Sequence, residues 1–123
     1  MIAGIGCRRG CSAEDILHAL HVACADAGRR AAALAAPAFK ADEPGLREAS
    51  RLLGLPLILV DAAPLSAAQA RCVTRSPRAE RATGVASVAE GSALAAVGAG
   101  GRLLLPRVIG GAATCALAEK APA

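Results

Sequence analysis

Apolar residues in the first part of the chain change their spacing at Ser12. Residues 2–7 form a short apolar run interrupted by glycines, which predicts a strand followed by a loop. From Ser12 the apolar residues recur at helical spacing until Gly28, and the acidic residue three positions after Ser12 makes a variant of the capping box. The pattern predicts a strand, a loop and a helix, and a weaker apolar run over residues 31–39 predicts a second strand.

The middle of the chain holds its most continuous apolar run. Residues 46–53 follow a proline and precede a glycine, which predicts a helix with both end signals in place. Residues 57–60 read Leu-Ile-Leu-Val, which is typical of a central strand buried on both faces of a parallel sheet. Residues 66–71 predict a short helix, and the arginine-rich residues 72–84 predict a mobile basic loop.

The last part of the chain carries another helical pattern and two further apolar runs. Ser87 followed three residues later by Glu90 is a full capping box, which predicts a helix and favours a cap over acid catalysis for Glu90. Residues 103–105 and 112–117 predict two strands joined by residues 106–111.

Helices alternate with short strands along this chain of 123 residues, the usual length of one domain. This order indicates a three-layer α/β/α fold with a mixed, mostly parallel sheet of about five strands. We expect one domain over residues 1–119 and a tail over residues 120–123.

Composition narrows the class of partner. Phe39 is the only aromatic residue among Phe, Tyr and Trp, so stacking on bases has little material and no nucleic acid partner is expected. The 14 basic and 10 acidic residues leave a net charge of +4. Most of the basic residues are arginine, which recognises carboxylate and phosphate through two parallel hydrogen bonds. The composition therefore favours a small anionic ligand.

No apolar run approaches the ~20 residues that a membrane-spanning helix needs, and the chain begins directly in strand-like sequence. We therefore expect a cytoplasmic protein without a membrane partner. The 5 cysteines form no Cys-x-x-Cys pair, which indicates reduced thiols. His18, His21 and Cys24 drift around the predicted helix, so they cannot share one ion. His18 and His21 alone would be able to bind one metal ion together. We nevertheless expect both histidines to be solvated, and we expect no metal site and no cofactor.

The loop over residues 6–10 reads Gly-Cys-Arg-Arg-Gly, between a predicted strand and a helix N-terminus whose free N–H groups favour an anion. Its spacing is not the dinucleotide fingerprint, so an anion site and a plain tight turn stay equally open. Cys7 and Cys11 flank two arginines near a helix start, which are conditions that lower the pKa of a thiol. Structural roles as small buried side chains are nevertheless the favoured interpretation.

Two further loops carry polar groups at predicted strand ends. The charged turn after the second strand contains Lys40, Asp42 and Glu43. The loop before the last strand contains Arg107, Gly111 and Thr114. The ends of strands are where α/β sheets place their sites. A solvated turn explains the first set equally well, and an ordinary hairpin explains the second.

Four segments, in this order and spacing, resemble one known family: GIGCRRGCSAEDI, FKADEPGL, GVASVAEGSAL and PRVIGGAATCALAE. The family is that of CobE and the CbiG C-terminal domain in cobalamin biosynthesis, and the resemblance extends from residue 2 to about residue 119. It implies an α/β/α fold with a mixed sheet. It also implies an anionic precorrin or corrinoid ligand that carries many carboxylates, and other cobalamin-pathway enzymes as partners.

The resemblance implies two alternative functions. In the two-domain relatives the activity is opening of the δ-lactone of cobalt-precorrin-5A with loss of acetaldehyde, which suggests a hydrolase acting on a precorrin lactone. Because Met1 stands at the start of the C-terminal-type domain, this chain is closer to the stand-alone type. The other function is a carrier or accessory protein that binds the polycarboxylate tetrapyrrole for pathway enzymes. The carrier is favoured because no histidine falls in a shared segment.

By motif, the resemblance carries over the substrate-binding residues Gly6, Cys7, Arg8, Arg9, Gly10, Lys40, Asp42, Arg107, Gly111 and Thr114. A hydrolase would use Glu90 or Glu43 as the base that activates water. Arg107 stands where the family often has lysine, which keeps the charge and adds bidentate geometry. Cys11 stands where threonine is also common, which argues against a nucleophilic thiol.

Overall fold

The computed structural model describes residues 1–120. The strands are β1 (Ile2–Cys7), β2 (Ala33–Pro37), β3 (Leu57–Val60), β4 (Arg102–Gly110) and β5 (Ala113–Glu119). The helices are α1 (Ala13–Ala27), α2 (Pro44–Leu53), α3 (Ala62–Ala68), α4 (Pro77–Thr83) and α5 (Val88–Val97). Two short 3₁₀ segments cover Ala38–Lys40 and Gln69–Arg71. Residues 121–123 of the predicted tail lie outside the described residues.

The strands form one mixed sheet in the order β3-β2-β1-β5-β4. β1, β2 and β3 pair in parallel, whereas β5 is antiparallel to both of its neighbours, β1 and β4. Four strands therefore point the same way, and their carboxyl ends share one edge with the start of β5. The prediction of an α/β fold with a mixed sheet of about five strands is confirmed, and two of the four strand pairings are parallel.

Helices cover both faces of the sheet and make the three predicted layers. α1 and α2 pack together on one face, where Ile16 and Leu46 meet Ile5 of β1 in the largest buried cluster. α5 lies on the other face against β1, β2 and β5, with α3 beside it. α5 approaches β1 closely because Gly4 has no side chain: a Cβ there would collide with the Ala89 carbonyl oxygen.

The end signals read from the sequence work as predicted in α1. The Ser12 hydroxyl oxygen accepts a hydrogen bond from the Asp15 N–H at 3.1 Å. Gly28 takes the left-handed conformation at the other end, with a φ of 66°. Helix α2 likewise begins at Pro44, and Gly54 ends it with a φ of 67°.

Two predictions for single elements are wrong. β3 is an edge strand rather than a central one, and its Leu59 is 39% exposed. Residues 77–83 of the predicted basic loop form α4, in which the Ser76 hydroxyl oxygen accepts from the Ala79 N–H at 3.2 Å. Pro77 and Gly84 supply its other end signals. The hydrophobic pattern misses α4 because the helix lies on the surface and has no apolar stripe.

The last strand pair is longer than predicted. β4 continues past residue 105 to Gly110, with irregular pairing around Leu105, so residues 106–110 are strand and not loop. Pro106 fits because β4 is at the sheet edge, where the missing N–H disrupts no further pairing. A two-residue turn at Gly111 and Ala112 joins the strands, and Gly111 has a φ of 60°. None of the helices within residues 1–120 is both long and apolar enough to cross a membrane.

Candidate functional site

A cleft of about 940 Å³ opens at the edge of the sheet where β1, β2 and β4 end. Its walls come from the loop after β1, the 3₁₀ segment after β2, the β4–β5 hairpin, α4 and the first turn of α5. This is the edge at which ligands bind in open α/β sheets. Segments distant in sequence therefore converge on one site because the strands point the same way.

The loop after β1 is held by two hydrogen bonds that backbone N–H groups donate. The Cys11 N–H donates to the Arg8 carbonyl oxygen at 3.0 Å, and the Gly10 N–H donates to Glu43 Oε2 at 3.1 Å. Gly10 has a φ of 78°, which favours glycine. Glu43 thus ties the loop to the start of α2, and the side chains of Arg8 and Arg9 stay exposed.

The hairpin approaches the same loop at Gly6. The Thr114 hydroxyl donates to the Gly6 carbonyl oxygen at 3.4 Å, and a Cβ at Gly6 would collide with that hydroxyl. Glycine at this position therefore permits the close approach of β5. Gly111 and Thr114 both line the cleft as a consequence.

Five cationic side chains line the cleft: Arg8, Arg9, Lys40, Arg78 and Arg107. None of them forms an ion pair with another side chain of residues 1–120. Only two carboxylates, those of Glu43 and Glu90, line the cleft beside them. The cleft is therefore positively charged, and its cations are free to pair with an anionic ligand.

The thiols beside the cleft are not activated. Burial raises the pKa of the Cys7 thiol to about 11, and the nearby Cys11 adds to the effect. Burial likewise raises the pKa of Cys11. The expectation of a lowered thiol pKa is wrong because desolvation of the thiol outweighs the nearby charge, and Lys40 is the cation that opposes it at both thiols. Both cysteines are protonated at neutral pH, which fits structural roles.

Glu90 is almost completely buried, with 1% of its surface exposed, and backbone N–H groups surround its carboxylate. Oε1 accepts from Val73 at 2.8 Å and from Thr74 at 2.9 Å, and Oε2 accepts from Arg107 at 2.9 Å. Burial alone would raise the pKa of Glu90, but the hydrogen bonds from Arg107, Thr74 and Val73 hold it below its ordinary value. The ionised carboxylate joins α5 to β4 and to the segment before α4.

The capping-box interpretation of Ser87 and Glu90 is wrong. Ser87 is the N-cap residue of α5, but its side chain makes no capping hydrogen bond. The Gln69 side chain instead binds the backbone at this end of the helix. Its Oε1 accepts from the Ser87 N–H at 2.9 Å, and its Nε2 donates to the Ser87 carbonyl oxygen at 2.9 Å. Ser87 and Glu90 have the spacing of a capping box, but the Glu90 carboxylate binds N–H groups in other segments.

Ten of the twelve sequence-predicted site residues line the cleft: Gly6, Cys7, Arg8, Arg9, Lys40, Glu43, Glu90, Arg107, Gly111 and Thr114. The other two, Gly10 and Asp42, line a neighbouring depression of about 460 Å³, which shares Arg9, Phe39 and Glu43 with the cleft. The structure thus places these residues at one end of the sheet.

Sequence reasoning missed several residues that line the cleft, among them Phe39, Arg78 and Ile109. Arg78 belongs to α4, which lies within the segment predicted as a basic loop. The sequence does indicate Phe39 as a candidate site residue, because it directly precedes Lys40 and is the only residue of the chain among Phe, Tyr and Trp. Ile109 gave no signal, since a single apolar residue in a predicted connection between strands does not indicate a site.

Within residues 1–120, no group of three or more His, Cys, Asp or Glu side chains is placed to hold a metal ion. His18 and His21 are exposed on α1 and do not line the cleft. The polar side chains that line the cleft are cations, hydroxyl groups, one thiol and two carboxylates.

Comparison with known proteins gives concordant results. The family model described as "Cobalamin synthesis G C-terminus" matches residues 1–118. Protein CobE from Sinorhizobium sp is 34% identical over 127 aligned positions, which cover 98% of this chain and 80% of that protein.

Two solved structures share the fold. The crystal structure of CobE, a protein from the cobalamin (vitamin B12) biosynthetic pathway, superposes with a TM-score of 0.88 at 42% identity, covering 95% of this chain and 87% of that one. Cobalamin biosynthesis protein chiG from Agrobacterium tumefaciens str. C58 gives a TM-score of 0.80 at 38% identity, covering 98% of both chains. The chain therefore belongs to the cobalamin synthesis G C-terminus family, which includes CobE, and is a protein of the cobalamin biosynthetic pathway.

Proposed function

We propose that the cleft binds a polycarboxylate tetrapyrrole intermediate of corrin synthesis, and that the domain serves as a carrier or accessory to the enzymes of the pathway. The observation that carries the proposal is the set of five cleft cations without ion-pair partners in residues 1–120. Four of them are arginines, whose planar guanidinium matches a carboxylate in bidentate fashion.

The size of the cleft supports a ligand larger than a simple anion. A volume of about 940 Å³ lies at the upper end of the range for small-molecule sites. The cations belong to the loop after β1, to the 3₁₀ segment after β2, to α4 and to β4. Charges spread over four elements suit a ligand whose carboxylates are distributed around its periphery.

The hydrolase alternative has less support from the geometry. A general base must accept a proton from water, but three N–H donors already occupy the Glu90 carboxylate and keep its pKa low. Glu43 is the carboxylate that a hydrolase would have to use, since it accepts a single backbone hydrogen bond and is partly exposed. A carrier needs no general base, so a positively charged cleft is sufficient for that function.

A spectral titration of hydrogenobyrinic acid, a polycarboxylate corrinoid, tests the proposal. We expect binding at low salt that weakens as salt rises, because partly exposed ion pairs are screened within about 10 Å at 0.1 M ionic strength. Unchanged ligand spectra at high protein concentration and low salt would contradict a corrinoid site. Release of acetaldehyde from a precorrin lactone by the purified chain would instead identify an enzyme.

A further inference from the structure

Phe39 is the single aromatic residue of the chain, yet the fold does not bury it. Its surface is 54% exposed, whereas Phe is among the residues most often found inside proteins. It stands in the 3₁₀ segment after β2 and lines both the cleft and the neighbouring depression. Core packing therefore does not account for the large apolar side chain at this position.

Ile109 is a second large apolar residue left in water beside the cleft, with 67% of its surface exposed. It precedes Gly110, which lies against Ala19 of α1. Because successive side chains of a strand point to opposite faces, Ile109 points away from α1. The strand thus presents Ile109 on the face of the sheet that carries α5.

The two apolar side chains lie on either side of the cationic loop. In the sheet order, β2 and β4 flank the β1–β5 pair. Neighbouring strands are about 4.8 Å apart, so the ends of β2 and β4 are separated by roughly 14 Å. Arg8 and Arg9 follow β1, between them. The cleft therefore has two arginines between its two apolar side chains. Two further cations stand beside these side chains in the chain, since Lys40 follows Phe39 and Arg107 precedes Ile109 by two residues.

This arrangement does not suit a small hydrophilic anion. Such a ligand would pair with the arginines and leave Phe39 and Ile109 in water. A flat macrocycle with carboxylates on its rim covers both apolar side chains with its ring while its carboxylates pair with the cations. We infer that Phe39 and Ile109 contact the ring of the ligand and select ring-closed tetrapyrroles over ring-free polycarboxylates, an inference that rests on the proposed function.

Two cleft variants and one matched control test the inference. Phe39→Ser and Ile109→Ser each remove an exposed apolar side chain from the cleft. Leu52→Ser removes one that is 55% exposed on α2 and does not line the cleft. The ligands are hydrogenobyrinic acid, followed by its visible spectrum, and citrate as a ring-free competitor. Because the chain has no Trp or Tyr, emission of the bound ligand can be read without indole or phenol signals.

We expect Phe39→Ser and Ile109→Ser each to weaken hydrogenobyrinic acid binding about tenfold, since burying a partly exposed apolar side chain is worth about one decade in affinity. The inhibition constant of citrate, corrected for each variant's own affinity for hydrogenobyrinic acid, should be unchanged, because citrate pairs only with the cations. Leu52→Ser should bind both ligands as the wild-type protein does. Phe39→Leu should recover most of the loss. Melting temperatures close to that of the wild-type protein show that each variant is folded.

The outcomes separate this inference from the proposed function. If the wild-type protein binds hydrogenobyrinic acid and both cleft variants bind it equally well, the apolar contacts are refuted while the cationic site stands. If citrate binding falls as much as corrinoid binding, selection for the ring is refuted. If the wild-type protein does not bind the corrinoid at low salt, the proposed function itself fails.

Discussion

The two ends of the sheet satisfy a carboxylate in different ways. At the end away from the cleft, Glu119 accepts hydrogen bonds from the guanidinium groups of Arg29 at 2.8 Å and of Arg102 at 2.8 Å. At the cleft end, Glu90 accepts from the backbone N–H groups of Val73, Thr74 and Arg107. Both carboxylates have a pKa below the ordinary value, but only Glu119 uses arginine side chains to achieve it.

The difference shows how the fold keeps cations available at one end. The guanidinium groups of Arg29 and Arg102 are engaged with Glu119. Arg107 gives its backbone N–H to the internal carboxylate, while its side chain lines the cleft without an ion pair to residues 1–120. A structural carboxylate that binds backbone donors can organise a positive site without neutralising its side chains.

Replacement of Glu90 is expected to have the largest effect. In Glu90→Gln the new amide group turns an N–H donor toward backbone N–H donors, so at least one buried donor loses its acceptor. We expect a loss of about 2–4 kcal/mol in the free energy of unfolding, measured by urea denaturation. Affinity for hydrogenobyrinic acid should also fall, because Arg107 and the segment before α4 are no longer held together.

Glu119→Gln is the matched control at the opposite end of the sheet. Its arginine partners can turn to water, so we expect a much smaller fall in melting temperature than for Glu90→Gln, with corrinoid affinity unchanged. Equal destabilisation by the two substitutions would contradict the distinction between backbone and side-chain donors. A Glu90→Gln protein as stable as the wild-type protein would show that the buried carboxylate is dispensable.

The contribution of Glu90 to the free energy of unfolding depends on pH. Because its pKa is lower in the folded protein than in the unfolded chain, its contribution to stability is present above the unfolded value of about 4.3 and is lost as the pH falls through the lower folded value. The stability difference between the wild-type protein and Glu90→Gln should therefore be largest near neutral pH and shrink below about pH 4. Urea denaturation at a series of pH values measures it. A difference that grows on acidification would reverse the sign and refute the assignment.

We expect the smallest effect for the replacement of a single arginine of α4, and a second arginine of the same helix serves as its control. Arg78 lines the cleft and Arg81, three residues later and also exposed, does not. We expect Arg78→Ala to weaken corrinoid binding about threefold to tenfold, an effect that shrinks at high salt, while Arg81→Ala leaves affinity unchanged. Equal losses for both variants would mean that only the overall charge of the protein matters, and the titration at two salt concentrations distinguishes the cases.

Several features of the site were readable from sequence because they depend on neighbours in the chain. The glycines and arginines of residues 6–10 and the charged turn after β2 were identified as loops at strand ends, and the structure brings them to one cleft. The roles of these residues in binding stay predictions. The error over α4 has a physical cause: a surface helix without an apolar stripe leaves only its end signals, which are Ser76, Pro77 and Gly84.

The pattern of residues along the chain was enough to identify most of the helices and strands, the ends of α1 and α2, and the excess of arginine, since helix ends and strand runs depend on residues a few positions apart. The tertiary structure alone decided that β3 is at an edge, that Phe39 stays exposed and that Glu90 binds donors in other segments. Val73 and Arg107 are each separated from Glu90 by 17 residues. A carboxylate placed three residues after Ser87 suits a helix cap locally, but burial makes its energy depend on whichever N–H groups the packed sheet and helices bring to it.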